Sequence, residues 1–437
     1  MNIFNILEQI NSYVWGAGLI SLLLFTGLFY TVKLKFIQFR LIPFIFSQIG
    51  KQKHCCETGG ISPLRTVCAS LGTAMGTGNI IGVSSALAIG GAGSVFWMWV
   101  SAFLGMSLVY AENYLSIIFR EKNTAFPYSG PFVYIEKGLG SKKLAVVFSV
   151  FCIAASFGMG GMVQSNSVSL SICDCIEVKP TIIAFIIFLS VIIVINGGIN
   201  RISSATQVII PFLTAIYILS ACAVIFICRQ RLSQAFENIF SDALNVSSAV
   251  GGIGGFSISK TVSIGIRRGI FSNEAGLGSS PIMHGAVADK SPSVMGMWSV
   301  FEVFLDTIIC CTLTALVILV SGADSFSVAS AFGCIFGKSS GLFIAISVSL
   351  FAFCTIIGWY YCGETSFKYI GGKNLKLYRF VFSVSAASGA ILSLSPVWTL
   401  SDIFNGLMAF PNLLALILLS PKVNGYLNMN NSKNVFD

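Results

Sequence analysis

Long apolar stretches, separated by short polar or charged segments, run along almost the whole chain. Most of them approach the roughly 20 residues that a helix needs to cross the ~30 Å hydrocarbon core of a bilayer. The pattern predicts eleven membrane-spanning helices, at residues 14–32, 66–89, 93–118, 145–173, 181–198, 205–228, 264–287, 294–321, 341–363, 378–395 and 399–420. The sequence therefore predicts an all-α polytopic membrane protein in which residues 1–437 form one transmembrane domain.

The composition agrees with this prediction and excludes an ordinary soluble protein. The 437 residues have a mean hydropathy of +0.85, and 10% of them are charged. The cysteines inside the apolar stretches behave as small apolar residues, and "KHCCE" at residues 53–57 has no second ligand cluster, so we expect no disulfide or metal among them. We also expect no bound cofactor, no nucleic acid and no obligatory protein partner, since the net charge of +9 is a topology signal. The bilayer is the expected environment.

The distribution of Lys and Arg predicts the orientation. Basic residues concentrate in cytoplasmic loops. With the N-terminus outside, the external segments hold only seven of the 26 basic residues, namely Lys179, Arg229, Arg231, Lys260, Arg267, Arg268 and Lys338. We therefore expect an external N-terminus and a cytoplasmic C-terminus. The first 13 residues carry no Lys or Arg and no cleavage motif follows, so we expect no cleaved signal peptide.

One stretch complicates this topology. Residues 246–270 are rich in Gly and Ser and end close to Arg267 and Arg268. Because the stretch is too polar to face lipid, we expect a surface helix or loop that leads into the seventh span.

Two glycine-rich motifs predict interrupted helices. "MGTGNIIGVSSA" (75–86) aligns with "AGLGSSPIMHGA" (275–286), and each opens the first apolar element of a block of five spans. Short Gly-interrupted spans at matching places in two halves mark the binding site of many transporters. We therefore predict two five-helix repeats, at 66–228 and 264–420, after one extra helix at 14–32. The odd number of spans per repeat makes the repeats inverted.

The glycines of "LGTAMGTGNIIGV" (71–83) allow two other interpretations. A dinucleotide loop would need a preceding strand and an acidic residue about 20 positions on, and the sequence has neither. A close-packing helix face accounts for the glycines, but it leaves Thr73, Thr77 and Asn79 without a role. An interrupted helix accounts for both sets of residues.

At these motifs the chain resembles the alanine or glycine:cation symporter family, the sodium:alanine symporters. The matching stretches, in family order, are "GTGNIIGV", "GGAGSVFWMWVSAFLGM", "SFGMGGMVQSNS", "FSNEAGLGSSPIMHGA", "GMWSVFEVFLDTIICCTLTALVILVSG" and "FAFCTIIGWYYCGE". The resemblance implies a leucine-transporter-like fold of two inverted five-helix repeats plus one N-terminal helix. It also implies that sodium, or less often protons, drives the movement of small neutral amino acids.

A zwitterionic substrate needs donors for its carboxylate, acceptors for its ammonium group and a wall for its side chain. Backbone N–H groups freed at the first break suit the carboxylate. Carbonyls freed at the second break, with Gln164, suit the ammonium group, and two aromatic rings could form the wall. The predicted substrate residues are Thr77, Gly78, Asn79, Phe157, Gln164, Ser272, Asn273, Gly276 and Trp359.

The resemblance also implies where sodium would bind. Backbone carbonyls of Gly72 and Met75 would face the Phe351 carbonyl and the Thr355 hydroxyl. The family usually has Ser where this chain has Cys354, and a thiol is a poor sodium ligand. Either Thr355 and water complete the shell, or the affinity falls or the coupling ion changes.

Four acidic residues lie within or near the predicted spans. Acids in a membrane are functional candidates, although each can also be a structural, hydrogen-bonded group. Glu274 lies at the second break and is expected to hold the unwound backbone or the substrate ammonium. Glu302 and Asp306 are four apart, so one is expected to be protonated, or both to meet a donor such as Asn79 or Arg268.

The remaining two polar groups are expected to be structural. Glu112 is expected to pair with Arg120 near the inner end of its span, and His284 to be a hydrogen-bonded packing residue.

The predicted function is sodium-coupled symport of alanine and glycine across a bacterial inner membrane by alternating access. The alternative is proton-coupled symport through Glu274, Glu302 or Asp306. A membrane-embedded enzyme is disfavoured because the chain has two His residues and lacks G-x-S-x-G and H-E-x-x-H. A passive channel would never accumulate substrate above its gradient.

Overall fold

The protein is nearly all helical. The structure, a computed structural model, describes residues 3–49, 63–120, 129–244, 253–285, 291–323, 326–392 and 394–425. The α-helices, in chain order, are α1 (Ile3–Val14), α2 (Ala17–Lys33), α3 (Leu41–Ile49), α4 (Pro63–Ala74), α5 (Ile81–Gly90), α6 (Gly93–Ile118), α7 (Pro131–Leu139), α8 (Lys142–Ala155), α9 (Gln164–Cys173), α10 (Pro180–Ile195), α11 (Gly198–Ile227), α12 (Leu232–Leu244), α13 (Ile253–Asn273), α14 (Ser280–His284), α15 (Pro292–Val303), α16 (Thr312–Ser321), α17 (Val328–Ala331), α18 (Gly333–Phe336), α19 (Ser340–Tyr369), α20 (Leu375–Gly389) and α21 (Leu394–Leu418). This architecture confirms the predicted all-α membrane fold.

Seven helical stretches are long and apolar enough to cross a membrane: Asn5–Lys33, Gly93–Ile118, Lys142–Cys173, Gly198–Ile227, Pro292–Ser321, Gly333–Tyr369 and Ser395–Leu418. The other four predicted spans correspond to the interrupted pairs α4–α5 and α13–α14 and to the shorter helices α10 and α20. Each predicted span thus has a helical counterpart. The count of eleven membrane crossings, and the division of the chain into two repeats, stay predictions.

Two of the long helices contain a wider, π-helical segment. Residues Ser156–Val163 join α8 to α9, and residues Phe304–Cys311 join α15 to α16. Such segments shift the phase of the side chains that follow, and they occur often at functional sites. In the first segment a side chain on Gly160 would collide with Trp359 of α19. This glycine therefore lets two helices approach closely at the centre of the bundle.

The Gly- and Ser-rich stretch before Arg267 does not form a surface loop. Within the described residues, α13 packs against α6 and α5. Gly265 and Gly269 make this possible, because a side chain on either would collide with Ser94 or Ser101 of α6. The expectation of a surface helix or loop for 246–270 was wrong for residues 261–270, which are buried or half-buried. Residues 246–252 lie outside the described part of the chain.

The core of the bundle lies where the two interruptions meet. The turn at Thr77–Asn79, between α4 and α5, contacts α13, α19 and the π-helical segment Phe304–Cys311. Beside it, α14 packs against α4, α6 and α19. The fold therefore brings two stretches of unwound backbone, about 200 residues apart in the sequence, into one buried region.

Candidate functional site

The first break is a short irregular segment that two neighbouring helices enclose. After α4 ends at Ala74, residues Thr77–Asn79 form a single 3-10 turn before α5 begins. A Cβ atom on Gly76 would lie 2.6 Å from Thr355 Oγ1 and 2.8 Å from Gln164 Oε1. The backbone at Gly76 therefore touches both α19 and α9, and no larger residue fits without displacing their polar groups.

The second break lies between α13 and α14. Glu274, Gly276 and Gly278 have φ values of +56°, +86° and +86° in this segment. Glycine adopts that region freely, whereas a glutamate there is strained and needs support from its surroundings. Glu274 receives it through its carboxylate, which accepts a 2.7 Å hydrogen bond from Trp359 Nε1 and one from the Ser279 hydroxyl. The Glu274 side chain thus links the unwound segment to Trp359 of α19 and to Ser279 just before α14.

Asp306 links the two breaks. Its buried carboxylate accepts hydrogen bonds from Asn79 Nδ2 (2.7 Å), Ser272 Oγ (2.7 Å) and Thr307 Oγ1 (2.8 Å). Asn79 belongs to the first break and Ser272 to the end of α13, beside the second. Asn273 joins the same network through Thr307, at 3.2 Å. One carboxylate therefore holds both interrupted helices in a fixed relation, with Asn79 as the expected donor.

Glu302 has separate partners. Its carboxylate accepts from Ser70 Oγ at 2.8 Å and lies 2.8 Å from His284 Nε2. His284 is therefore hydrogen-bonded and buried, as expected of a packing residue. Arg268 was the other expected donor to Glu302 and Asp306. Its guanidinium instead lies 4.6 Å from the ring centre of Trp398.

Glu112 differs from the expectation of an interfacial pair with Arg120. It is completely buried and accepts a 2.5 Å hydrogen bond from Asn412 Nδ2 of α21. Asn412 Nδ2 also donates to the Gly276 carbonyl at 2.9 Å. This pair therefore also supports the second break, through the Gly276 carbonyl. Sequence reasoning missed Asn412, although an amide inside an apolar span was a signal that could have found it.

The residues expected around sodium lie together between α4 and α19. Thr355 Oγ1 donates to the Gly72 carbonyl at 3.0 Å. A Cβ atom on Gly72 would lie 3.4 Å from the Cβ of Cys354, so this thiol borders the same place. Met75 and Phe351 are both buried, and their side chains contact α11: Thr214 Oγ1 donates to Met75 Sδ at 3.8 Å, and the ring centres of Phe351 and Tyr217 are 6.3 Å apart. Gly72, Cys354 and Thr355 are thus brought together, while the role of the four expected residues as ion ligands stays a prediction.

Most of the residues expected around the substrate also meet. Gln164 Oε1 accepts from the Thr77 backbone N–H at 3.1 Å, which fixes α9 against the first break. Gly78 packs on the end of α13, since a Cβ there would lie 3.2 Å from the Ser272 Cα. Trp359 reaches the second break through Glu274.

Phe157 and Gly276 are not part of this group. The Phe157 ring packs against Tyr378 and Phe382 of α20, with ring centres 5.7 Å apart in both pairs. A Cβ on Gly276 would lie 2.7 Å from a methyl group of Leu23, and its carbonyl already accepts from Asn412. Both residues therefore contact the surrounding helices, and the structure does not support their expected places at the substrate.

Two acceptor atoms at the first break have no hydrogen-bond partner among the described residues. They are Thr77 Oγ1 and Asn79 Oδ1, and both are buried. Buried polar atoms are almost always satisfied, so a water, an ion or a polar ligand can bind at these two atoms. Backbone groups freed at the breaks, together with hydroxyl and amide oxygens, are the kinds of polar atom that can bind a small zwitterion or an alkali cation.

Two discontinuous helices that meet at the centre of an apolar bundle are typical of secondary transporters. The model of the Sodium:alanine symporter family matches residues 1–434, and the chain belongs to that family. It is a multi-pass membrane transporter for cation-coupled movement of amino acids and not an enzyme.

Two relatives and one solved structure illustrate the match. The sodium/alanine symporter AgcS of Methanococcus maripaludis is 39% identical over 96% of this chain and 95% of its own length. An uncharacterised transporter of Haemophilus influenzae is 38% identical over 95% of this chain and 94% of its own. The crystal structure of MhsT in complex with L-phenylalanine superposes with a TM-score of 0.53 at 14% identity, over 83% of this chain and 98% of that one. The last similarity shows the leucine-transporter-like fold.

Proposed function

We propose that the protein is a sodium-coupled symporter of small neutral amino acids, chiefly alanine and glycine. The observation that carries the proposal is the place where the two breaks meet. There Asp306 joins Asn79 to Ser272, and the buried atoms Thr77 Oγ1 and Asn79 Oδ1 have no hydrogen-bond partner among the described residues. The name of the relative AgcS, a sodium/alanine symporter, supports the same substrate and ion.

In this proposal the substrate binds between the breaks. The backbone N–H groups of Gly78 and Asn79 bind its carboxylate, because a helix start carries partial positive charge, while the Thr77 N–H stays on Gln164 Oε1. Oxygen atoms at the end of α13, together with Asn79 Oδ1 and Thr77 Oγ1, accept from its ammonium group. Trp359, packed directly on Gly160, narrows the space for the side chain. A narrow pocket favours alanine and glycine over leucine.

Sodium binds beside the substrate, between α4 and α19. The Thr355 hydroxyl and the Gly72 carbonyl are 3.0 Å apart and hydrogen-bonded to each other. When sodium arrives, the hydroxyl turns so that both oxygens face the cation, which needs several oxygen ligands. Cys354 contributes no oxygen here, so water or further backbone carbonyls complete the shell.

We place the protein in a bacterial inner membrane with its N-terminus outside and its C-terminus in the cytoplasm. In that orientation, Arg267 and Asp402 form a 2.7 Å ion pair on the outer side of the second break. The Trp15 indole N–H donates to the Asp402 carbonyl at 2.7 Å, and Arg268 covers Trp398. These contacts close the path from outside the cell to the substrate site. Alternating access requires them to separate when the substrate enters.

Proton coupling is the second candidate. The observation that favours it is the buried contact between His284 and Glu302, a pair able to exchange a proton without meeting solvent. In that case a proton gradient, rather than a sodium gradient, would drive uptake.

Labelled alanine uptake into proteoliposomes separates the two candidates. We expect an inward sodium gradient at equal internal and external pH to drive accumulation, and choline in place of sodium to abolish it. Unlabelled glycine and serine should compete more strongly than leucine. Uptake that persists in choline and follows an imposed proton gradient would refute sodium coupling and favour the second candidate.

A further inference from the structure

The side-chain amide of Asn405, in α21, is a buried polar group that the contacts around the two breaks do not use. Asn405 is only 2% exposed. Its Nδ2 donates to the sulfur of Met159 at 2.9 Å, and a thioether is a weak acceptor. Its Oδ1 has no hydrogen-bond partner among the described residues. Buried amides normally have partners at both ends, so the oxygen of Asn405 needs an explanation.

Two contacts of α21 show the depth at which Asn405 lies. About two helical turns before it, Trp398 stacks on Phe271 of α13, with ring centres 5.0 Å apart. About two turns after it, Asn412 donates to the Gly276 carbonyl in the second break at 2.9 Å. Side chains at this spacing share one face of a helix. Asn405 therefore lies on the face of α21 that meets α13 and the second break, at the depth of the proposed substrate site.

The partner of Asn405 belongs to the wall of that site. Met159 lies in the π-helical segment Ser156–Val163, which packs against α21. Its carbonyl accepts from Gln164 Nε2 at 3.2 Å, and Gln164 in turn holds the first break. The next residue, Gly160, packs on Trp359, the ring proposed to limit the substrate side chain. Only the flexible side chain of Met159 therefore lies between the amide and the side-chain end of the pocket.

The chemistry of the substrate indicates what could reach this amide. In the proposed function, the breaks bind the carboxylate and the ammonium group of the amino acid. Any further polar group of a small neutral substrate must then be on its side chain. Alanine and glycine have none, whereas serine carries a hydroxyl on Cβ. A hydroxyl has a proton to donate, and an amide oxygen is a suitable acceptor for it.

We propose that Asn405 is a specificity-determining residue whose Oδ1 accepts a hydrogen bond from the side-chain hydroxyl of a small substrate such as serine. The inference rests on the proposed function and extends its substrate class to hydroxy amino acids. Alanine and glycine cannot reach the amide, so their affinities do not depend on it. A site that is built to bind a hydroxyl loses its preference when the partner group is removed.

The test uses the full-length protein in proteoliposomes at saturating sodium. Unlabelled alanine and unlabelled serine each displace labelled alanine, which gives the affinity for both. Asn405→Leu removes the amide at similar volume, and the affinity for serine should fall by about 2- to 12-fold, the effect of one hydrogen bond. The affinity for alanine should stay unchanged, which also shows that the variant is folded. Asn405→Ala removes the same oxygen without adding bulk and should give the same result, so a folding failure of one variant leaves the test intact.

Ser401→Ala is the matched control. Ser401 lies one turn earlier in α21, and its hydroxyl already donates to the Val397 carbonyl at 2.8 Å, so the serine-to-alanine ratio should not change. An equal loss of both affinities in Asn405→Leu would overturn the proposal, because it would show that Asn405 only holds the π-helical segment through Met159. Wild-type protein that binds alanine but not serine, or an unchanged ratio in the Asn405 variants, would also overturn it. Wild-type protein that binds neither amino acid would instead overturn the proposed function itself.

Discussion

Replacing Gly76 by Ala adds a single methyl group at the point where the first break touches both neighbouring helices. The added Cβ would lie 2.6 Å from Thr355 Oγ1 and 2.8 Å from Gln164 Oε1, closer than atoms approach without a shift. To avoid these contacts, the side chains of Thr355 and Gln164 would both have to turn away. Thr355 then loses its bond to the Gly72 carbonyl, and Gln164 loses its bond to the Thr77 N–H.

The size of the effect follows from these losses. The Thr355–Gly72 bond opens in any case when sodium binds, so only the loss of the Gln164–Thr77 bond, about 0.5–1.5 kcal/mol, counts against substrate affinity. Since about 1.4 kcal/mol corresponds to a tenfold change, the affinity for alanine should fall by about 2- to 12-fold. Because one displaced group is the Thr355 hydroxyl, the sodium concentration for half-maximal uptake should rise as well. Alanine uptake at varied sodium, in proteoliposomes, measures both quantities.

Gly82→Ala is the matched control, since Gly82 lies in α5 just beyond the break and a Cβ there meets no atom within 4 Å. Alanine in a helix interior is favoured over glycine by about 0.5–1 kcal/mol, so this variant should transport normally. Normal alanine and sodium affinities in Gly76→Ala would refute the placement of the site at the first break. An equal loss of alanine and sodium affinity in both variants would instead indicate that any substitution in or next to α5 impairs transport.

Further variants test other parts of the site by the same uptake assay. Thr355→Ala should raise the half-saturating sodium concentration, and an unshifted sodium response would remove Thr355 from the ion site. Cys354→Ser should lower that concentration, because a hydroxyl is a better sodium ligand than a thiol; an unchanged response would place residue 354 outside the shell. Asp306→Ala should abolish binding of labelled alanine, because Asn79 and Ser272 lose their shared acceptor, and intact binding would show that this link is dispensable. Gly78→Leu should also abolish binding by filling the contact with α13, so undiminished binding would contradict the proposed pocket.

The interrupted helices could be predicted from the sequence because their signals are local. Glycine at 76 and 78, and again at 276 and 278, stands next to polar residues within apolar stretches, and the structure unwinds both segments. The wrong expectation for residues 261–270 came from a composition that suits a surface. The same glycines instead form a face that packs on α6, so the polar backbone is buried against protein and not lipid.

The side-chain partners were harder to predict because they depend on tertiary packing. Glu112 and Asn412 are 300 residues apart, and no spacing rule connects them. Phe157 lies in a π-helical segment, and its ring packs against Tyr378 of α20 rather than at the breaks. The residue type alone could not decide between these two contacts. Glu302 precedes the other π-helical segment and Asp306 lies inside it. The two carboxylates have different partners, so their spacing in the sequence did not decide their roles.

Coupled flux tests the central claim most directly. Proteoliposomes that contain the purified protein receive an inward gradient of unlabelled alanine, with radioactive sodium at equal concentrations on both sides of the membrane. The account predicts that alanine drives net sodium entry, that leucine drives much less, and that Thr355→Ala weakens the effect at low sodium. Sodium movement that does not respond to the alanine gradient, while alanine still enters, would contradict sodium-coupled symport.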